Sequence, residues 1–186
     1  MFLPKPVIIK TLYRYPNDRI TLARKEIPDC APHFCGVSVR QAIMKQHNRR
    51  QVLILDGQGG GIGAQLVRLL NPILPPDCGL LCVGTNVLAT SAMLKAGAPQ
   101  GATGENAVLY HAARSELILG PIGILLANGL LGEVSPAMAA AVSGSDAKKI
   151  LIPSTSCGVM VTGTEHRKLE DHLHQAVELV RRELAL

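Results

Sequence analysis

A glycine-rich segment behind the first continuous apolar run constrains the fold of this chain most strongly. Residues 51–70 read QVLILDGQGGGIGAQLVRLL, and five of the seven positions from Gly57 to Gly63 are glycine. The apolar run before Asp56 is typical of a parallel strand that is covered on both faces. Apolar residues from Ile62 to Leu70 then recur at helical spacing. The sequence therefore predicts a strand, a glycine loop and a helix in direct succession.

Such a bend exposes peptide N–H groups beside a helix N-terminus, and this combination binds anions, ordinarily a diphosphate. Glycines that serve only loop flexibility are the weaker interpretation, because glycine loses more conformational entropy on folding than any other residue. Asp56 would accept hydrogen bonds from loop amides or, alternatively, act as a base or cation ligand. We expect the binding segment to comprise Asp56, Gly57, Gln58, Gly59, Gly60, Gly61, Ile62 and Gly63.

The chain beyond this segment alternates between predicted strands and helices. A strand over GLLCVG leads into a helix that ends at Gly97, and later strands are expected at Leu117–Leu119 and at KKILIP. This alternation predicts an α/β fold, a three-layer, Rossmann-like and mainly parallel sheet with helices on both faces. We assign residues 51–186 to a nucleotide-binding domain of this kind.

Several local predictions are less direct. The segment after Gly104 favours a helix, with a strand at Ala107–Tyr110 as the alternative. A helix is expected from Ile122 to Leu131, a second one opens at Ser135-Pro136, and GVMVTG is expected to form an edge hairpin partner. An amphipathic helix closes the chain, with its two histidines facing solvent.

In open α/β sheets the ligand crevice lies at the carboxyl ends of the strands. Besides the glycine loop, the segments Gly84–Asn86, Gly120–Gly123 and Pro153–Cys157 should line it. A well-formed NAD site has an acidic residue at the end of the second strand, and an NADP site often has Arg there. This chain has Gly-Thr-Asn, which could bind a ribose or cap the next helix. The further ligand-binding candidates are Thr85, Asn86, Gly120, Pro121 and Ile122.

The first 50 residues differ from the rest in charge. They hold ten Lys and Arg against three acidic residues, a net charge of +7. Residues 51–186 carry −2, which gives the whole chain its net charge of +5. A β-hairpin followed by a short helix is predicted here, as a basic extension or arm. Nucleic-acid binding by this arm is disfavoured, because the chain has no Trp, two Phe and three Tyr and therefore few stacking platforms.

Other function classes are disfavoured by composition. Five cysteines at irregular spacing suit reduced thiols in a cytoplasmic protein. The Cys30–Cys35 segment, with His33, lacks a second ligand pair at a zinc-like distance, so no metal site is predicted. The 16 uncharged residues between Glu116 and Glu133 are shorter than the roughly 20 residues of a bilayer span. We expect a soluble protein without membrane association.

Two resemblances bear on function. LDGQGGGIG resembles the glycine-rich fingerprint of short-chain dehydrogenases and reductases, which implies NAD or NADP as cofactor. Their catalytic Tyr-x-x-x-Lys has only Tyr110 to Arg114 as a counterpart, with Arg in place of Lys, so no catalytic residue follows. DGQGGGIG, GTNVLATSAMLKAGA, GATGENA, GPIGI, LGEVSP and KKILIP, in this order, resemble a family of small bacterial proteins classified as a domain of unknown function. This resemblance implies that residues 1–43 are either an appendage or the result of an upstream start assignment.

Together these observations predict a Rossmann-like protein that binds a nucleotide, NAD or NADP first among them, through its glycine loop. An oxidoreductase reaction is one interpretation. The alternative is a non-catalytic nucleotide sensor or scaffold that acts as a homo-oligomer.

Overall fold

A computed structural model describes residues 50–154, 158–164 and 167–186. Five strands and five helices follow one another along the described chain. The strands are β1 (Arg50–Asp56), β2 (Cys78–Gly84), β3 (Gly101–Thr103), β4 (Leu117–Pro121) and β5 (Lys148–Ile152). The helices are α1 (Gly61–Leu70), α2 (Val87–Lys95), α3 (Glu105–Ala112), α4 (Pro136–Ser143) and α5 (Leu169–Leu184), with a 3-10 turn at Ile122–Leu125.

All five strands are parallel, in the order β3-β2-β1-β4-β5. The chain moves outward from β1 to β3 on one side and then returns to place β4 on the other side of β1. The strand order thus reverses between β1 and β4, and the carboxyl ends of these two strands flank the crevice where such sheets bind ligands. The glycine loop begins at this point, directly after Asp56.

Side chains that alternate along the strands form two separate cores. Val52, Ile54 and Leu119 point to one face of the sheet and pack with residues of α1, α2 and α5. Leu53 and Ile118 point to the other face and pack with residues of α3 and α4. The strands are therefore apolar throughout because both faces are covered. The predicted three-layer α/β class, with a Rossmann-like parallel sheet, is confirmed.

The segment after β4 departs from the prediction. The expected helix from Ile122 to Leu131 is wrong beyond its first turn: the 3-10 turn ends at Leu125, and a tight series of turns follows. Asn128, Leu130 and Leu131 have left-handed φ angles of 61°, 54° and 59°, which no α-helix accommodates. The apolar spacing of this segment suggested a helix, whereas its Asn-Gly pair is a turn signal. We call residues 126–134 the covering segment, because they pack over the glycine loop.

Other local predictions had mixed outcomes. The helix preferred after Gly104 is confirmed, and the alternative strand at Ala107–Tyr110 is wrong. The three-residue strand β3 was not predicted, because it is too short to leave a periodic signal. The expected edge partner over residues 158–163 is wrong, since the described residues there form turns and bends rather than a strand. The predicted hairpin and helix of the first 49 residues lie outside the described residues.

Ser135 caps α4 through a 3.1 Å bond from the Met138 amide to its hydroxyl, as its place before Pro136 predicted. The sequence predicts that an apolar stripe of α5 is formed by Leu169, Leu173, Ala176, Val177 and Val180, and all of these except the exposed Leu169 are buried. Of its two histidines, His174 faces solvent and His172 is half-buried.

Gly120 in β4 offers a test of how closely the central strands approach. A Cβ added there would lie 2.1 Å from the Leu55 carbonyl oxygen, a contact that only a backbone shift could relieve. Gly120→Ala should therefore lower the free energy of unfolding by about 2–3 kcal/mol, as overpacking of a core does. Urea denaturation measures the change. Gly79→Ala in β2 is the matched control: its added Cβ approaches only the Arg50 carbonyl, at 3.9 Å, so stability should stay within about 1 kcal/mol. Equal losses in both variants would contradict the close approach.

Candidate functional site

Asp56, the last residue of β1, holds the two ends of the glycine loop together. Its Oδ1 accepts a hydrogen bond of 2.8 Å from the Gly57 amide, and its Oδ2 accepts one of 2.7 Å from the Gly63 amide. The side chain is 4% exposed. Burial raises the pKa of Asp56, although hydrogen bonds from the amides of Gly63, Gly57 and Ile62 oppose this shift. These contacts correspond to the first of the two predicted roles, acceptance of loop N–H bonds.

A tight turn between these two amides forms the bend itself. The Gly60 amide donates to the Gly57 carbonyl at 2.9 Å, and Gln58 and Gly60 have φ angles of 52° and 68°. A Cβ on Gly60 would lie 2.7 Å from Ala89 Cα in α2. The left-handed angle and the adjacent helix both require glycine at this position.

The first and last glycines of the loop allow close packing. A Cβ on Gly63 would lie 2.6 Å from Met93 Sδ and 2.9 Å from Asp56 Cβ, so this glycine lets α1 approach α2 and the end of β1. A Cβ on Gly57 would lie within 2.8 Å of atoms of Thr85, Leu130 and Glu133. The first glycine is therefore covered by the protein's own side chains and cannot face a ligand directly.

Glu133, from the covering segment, brings a second carboxylate to the loop. Its Oε2 accepts hydrogen bonds from the Gln58 amide at 2.8 Å, the Thr85 hydroxyl at 2.5 Å and the Asn86 side-chain amide at 2.8 Å. Glu133 is not among the site residues predicted from the sequence. A lone Glu in a loop 75 residues after Gln58 carries no positional signal, and only the fold brings it to the end of β2.

The pKa values of the two carboxylates are shifted in opposite directions. Partial burial raises the pKa of Glu133, but the hydrogen bonds from Gln58, Thr85 and Asn86 more than offset this and lower it below its ordinary value. Repulsion from Glu133 adds to the burial that raises the pKa of Asp56. The described residues form no ion pair with either carboxylate. The site thus combines the Glu133 carboxylate, which three hydrogen bonds hold in place, with the buried Asp56 carboxylate, whose ionised form Glu133 disfavours.

Two amides of the loop remain available. In the part of the chain that the structure describes, the amides of Gly59 and Gly61 have no hydrogen-bond acceptor, and both residues are exposed. A Cβ built on either residue would meet nothing within 4 Å. Gly61 is also the first residue of α1, whose N-cap Gly60 provides no side-chain cap. The accessible donors of the predicted anion site are therefore these two amides, and not the whole loop.

Asn86 serves the capping role that was one of its two predicted functions. Its Oδ1 accepts a 2.9 Å bond from the Ala89 amide at the start of α2, while its Nδ2 donates to Glu133 and to the Gln58 carbonyl. Thr85 donates to Glu133 and joins the loop through its amide, which bonds to the Asp56 carbonyl at 2.9 Å. Both residues therefore link the end of β2 to the glycine loop.

The segments predicted on the other side of the crevice contribute little polar chemistry. Gly120 and Pro121 end β4 and are buried, and Ile122 opens the 3-10 turn half-buried. Pro153 and Ser154 follow β5, whereas residues 155–157 lie outside the described residues. Gly120 packs against β1, so its lack of a side chain serves the sheet rather than a ligand.

Three large exposed apolar side chains, which we call the apolar rim, lie on the segments that pack against the glycine loop. Val87 and Leu88, which directly follow Asn86, are 67% and 73% exposed, and Leu131 of the covering segment is 90% exposed. Large exposed apolar patches rimmed by polar residues mark ligand-binding grooves and protein–protein interaction sites. The three side chains of the rim could contact an apolar or aromatic group.

The described residues form neither a metal-binding cluster nor a helix that could span a bilayer. No group of three His, Cys, Asp or Glu side chains there could hold a metal ion. The Cys30–Cys35 segment lies outside them. Within residues 50–154, 158–164 and 167–186, none of the helices has the length and apolar character that a bilayer span requires. Tyr110 belongs to α3, and the Arg114 guanidinium carbon lies 3.8 Å from the centre of its ring. Both residues line a cavity with Gln51 and Cys78 at the amino ends of β1 and β2, whereas the glycine loop follows the carboxyl end of β1.

The sequence comparison identifies the family. Residues 51–185 match the family described as "Domain of unknown function (DUF3842)". The chain belongs to this family. The DUF3842 match begins at the second residue of β1 and ends just after α5, so it covers all the described strands and helices apart from Arg50. No curated protein matches the sequence significantly.

Solved structures similar to this DUF3842 chain include two enzymes. One is a dodecameric FMN-dependent Ubix-like decarboxylase from Escherichia coli O157:H7, with 16% sequence identity over 73% of this chain and 95% of that chain, and a TM-score of 0.39. The other is the glutamyl-tRNA reductase from Methanopyrus kandleri, with 14% identity over 77% of this chain and 38% of that chain, and a TM-score of 0.37.

The hydrogen bonds of Glu133 predict a pH-dependent contribution to stability. Glu133→Gln keeps the shape but weakens charge-assisted bonds, so it should cost about 1 kcal/mol of unfolding free energy at pH 7. Because the folded-state pKa lies below the ordinary value of 4.5, this contribution is fully present above about pH 4.5 and is lost as the pH falls through the lowered value. Urea denaturation of both proteins between pH 3 and 7 measures the difference.

Glu178→Gln is the matched control, because Glu178 is exposed and, among the described residues, pairs only with Arg181 at 3.6 Å. It should change stability by less than about 0.5 kcal/mol at every pH. A Glu133→Gln cost that stays constant down to pH 3 would contradict the lowered pKa.

Proposed function

We propose that this DUF3842 protein binds a nucleotide through its glycine loop, with a phosphate oxygen accepting hydrogen bonds from the amides of Gly59 and Gly61. A dinucleotide of the NAD or NADP type is the favoured ligand. The observation that carries this proposal is the contrast within one loop: Gly57, Gly60 and Gly63 are required by packing, whereas Gly59 and Gly61 fill no structural need.

A bound phosphate would explain why positions 59 and 61 are glycine. At both positions a side chain would meet no other atom, so the fold itself would accept alanine, which has a lower entropy cost on folding. Bare amides beside the N-terminus of α1 provide two directed donors and a partial positive charge for an anion. A ligand that approaches the backbone closely would exclude any Cβ there.

The position of these amides in the fold supports the same ligand class. They lie at the carboxyl end of β1, next to the reversal of strand order between β1 and β4. In sheets of this topology a nucleotide lies across that crevice with its phosphates on the helix N-terminus. The apolar rim of Val87, Leu88 and Leu131 would contact a base or a nicotinamide ring. A reductase reaction extends the proposal to an enzyme, in which the bound cofactor supplies the hydride.

The second candidate is a non-catalytic nucleotide sensor or scaffold that acts as a homo-oligomer. It is favoured by the same rim, since three large apolar side chains exposed at one mouth form a self-complementary patch as readily as a ligand contact. In this case residues 1–50 would serve as an arm for assembly. The two candidates differ in what the rim contacts, a ligand or a second chain.

A thermal-shift panel of NAD, NADP, FAD, ATP and S-adenosylmethionine tests the first candidate. A ligand present at about 100 times its dissociation constant should stabilise the protein by about 2.7 kcal/mol, or roughly 5–10 °C in Tm. Gly61→Val and Gly59→Val place a side chain over the open amides and should abolish the shift. Both variants should unfold at nearly the wild-type temperature without ligand, because a Cβ at either position meets nothing within 4 Å. The absence of any shift across the panel at millimolar ligand would refute nucleotide binding.

Sedimentation velocity of the full chain tests the second candidate. If the rim joins subunits, a Val87→Ser, Leu88→Ser double variant should lower the subunit number, because it removes two exposed apolar contacts. Met160→Ser is the control, because Met160 is 98% exposed and lies after β5 rather than beside Asn86. Should the double variant assemble like the wild type, the rim has no part in subunit contacts.

A further inference from the structure

Glu133 brings a carboxylate to the end of β2, where the neighbouring residues of the strand provide no acidic side chain. In dinucleotide-binding sheets an acidic residue at the end of the second strand accepts hydrogen bonds from the ribose hydroxyls. In this chain that place holds Thr85 and Asn86, and neither side chain is acidic. The covering segment brings Glu133 onto both of them, so that the carboxylate is supplied from beyond β4 instead.

The carboxylate is held so that one oxygen remains available. Three donors from three different positions converge on Oε2, which fixes the side chain against the end of β2 and the glycine loop. No described residue donates a hydrogen bond to Oε1. An ionised carboxylate has about four lone-pair sites, so a second pair of acceptor positions remains on the free oxygen. Its lowered pKa keeps the group ionised, and thus acceptor-only, at neutral pH.

We infer that Glu133 accepts hydrogen bonds through Oε1 from the vicinal hydroxyls of the ligand's ribose, and that it selects a nucleotide whose 2′-hydroxyl is free over one with a 2′-phosphate. This inference rests on the proposed nucleotide site. It names the ligand class more narrowly, as an NAD-like rather than an NADP-like molecule.

The charges around the carboxylate favour this selection. Glu133 lies close enough to Asp56 to repel it and raise its pKa, so negative charge is already concentrated here. Neither carboxylate has an ion-pair partner among the described residues, whereas sites that accept a 2′-phosphate place an Arg beside it. The two carboxylates would therefore repel a 2′-phosphate, and no described cation would compensate for this repulsion. A 2′-hydroxyl would instead donate a hydrogen bond to Glu133 Oε1.

A binding cycle on the full chain tests the inference. Isothermal titration compares ADP with 2′-deoxy-ADP, and NAD with NADP, on the wild type, on Glu133→Gln and on the control Glu178→Gln. On the wild type and the control, we expect loss of the 2′-hydroxyl to weaken binding about tenfold and NADP to bind at least tenfold more weakly than NAD. On Glu133→Gln, ADP should weaken about tenfold, 2′-deoxy-ADP should lose little more, and the preference for NAD over NADP should shrink.

The outcomes separate this inference from the nucleotide site itself. If Glu133 only supports the loop, Glu133→Gln weakens ADP and 2′-deoxy-ADP by the same factor, and the inference is overturned while nucleotide binding stands. Equal affinity of the wild type for NAD and NADP overturns it as well. If no nucleotide binds the wild type, the inference fails together with the proposed function.

Discussion

The glycine loop depends on one physical requirement, that backbone amides buried at a strand-to-helix bend find acceptors. An unsatisfied buried N–H group costs about as much as a lost hydrogen bond, and glycines provide no side chains to serve as acceptors. Asp56 meets most of this requirement, since its two carboxylate oxygens accept from Gly57 and Gly63 on either side of the turn. The bend is therefore closed by a buried carboxylate within the chain before any ligand is considered.

A second carboxylate completes the arrangement from a distant part of the sequence. Glu133 accepts from the Gln58 amide and also connects the ends of β1 and β2 through Thr85 and Asn86. The covering segment that carries it includes Leu130 and Leu131 in left-handed conformations, which are unfavourable for bulky residues. Such strain persists only where surrounding contacts determine the backbone, and it concentrates at functional positions. Here the compensating contacts are burial of Leu130 against the loop and the three hydrogen bonds of Glu133.

These two carboxylates narrow what the site can do. They leave Gly59 and Gly61 as the accessible donors and place negative charge beside them, so under the proposed function the loop would be selective among anions. A ligand that suits it would present few phosphate oxygens to the amides, hydroxyl donors to Glu133 and an apolar group to the rim. A nucleotide with a free ribose diol has all three features. Proposed function and proposed specificity thus follow from the same arrangement of charges and bare backbone.

The sequence alone determined the fold class and the position of the glycine loop, because both depend on local patterns. The apolar run before Asp56, the glycines and the helical spacing after Ile62 each report on a few neighbouring residues, and each was recovered in β1, the loop and α1. The parallel arrangement of the strands followed from their alternation with helices, whereas their order in the sheet, β3-β2-β1-β4-β5, was visible only in the structure. The start of α4 followed from Ser135 and Pro136, whose capping chemistry is also local.

Only the tertiary structure decided which groups meet at the site. Asp56 was predicted as a loop acceptor or as a base, and its contacts with Gly57 and Gly63 are those of an acceptor. Glu133 reached the end of β2 because a segment expected to be helical turns back over the loop, with left-handed residues that apolar spacing cannot reveal. Periodicity reports which residues are buried, but a contact between residues 75 positions apart depends on the path of the whole chain.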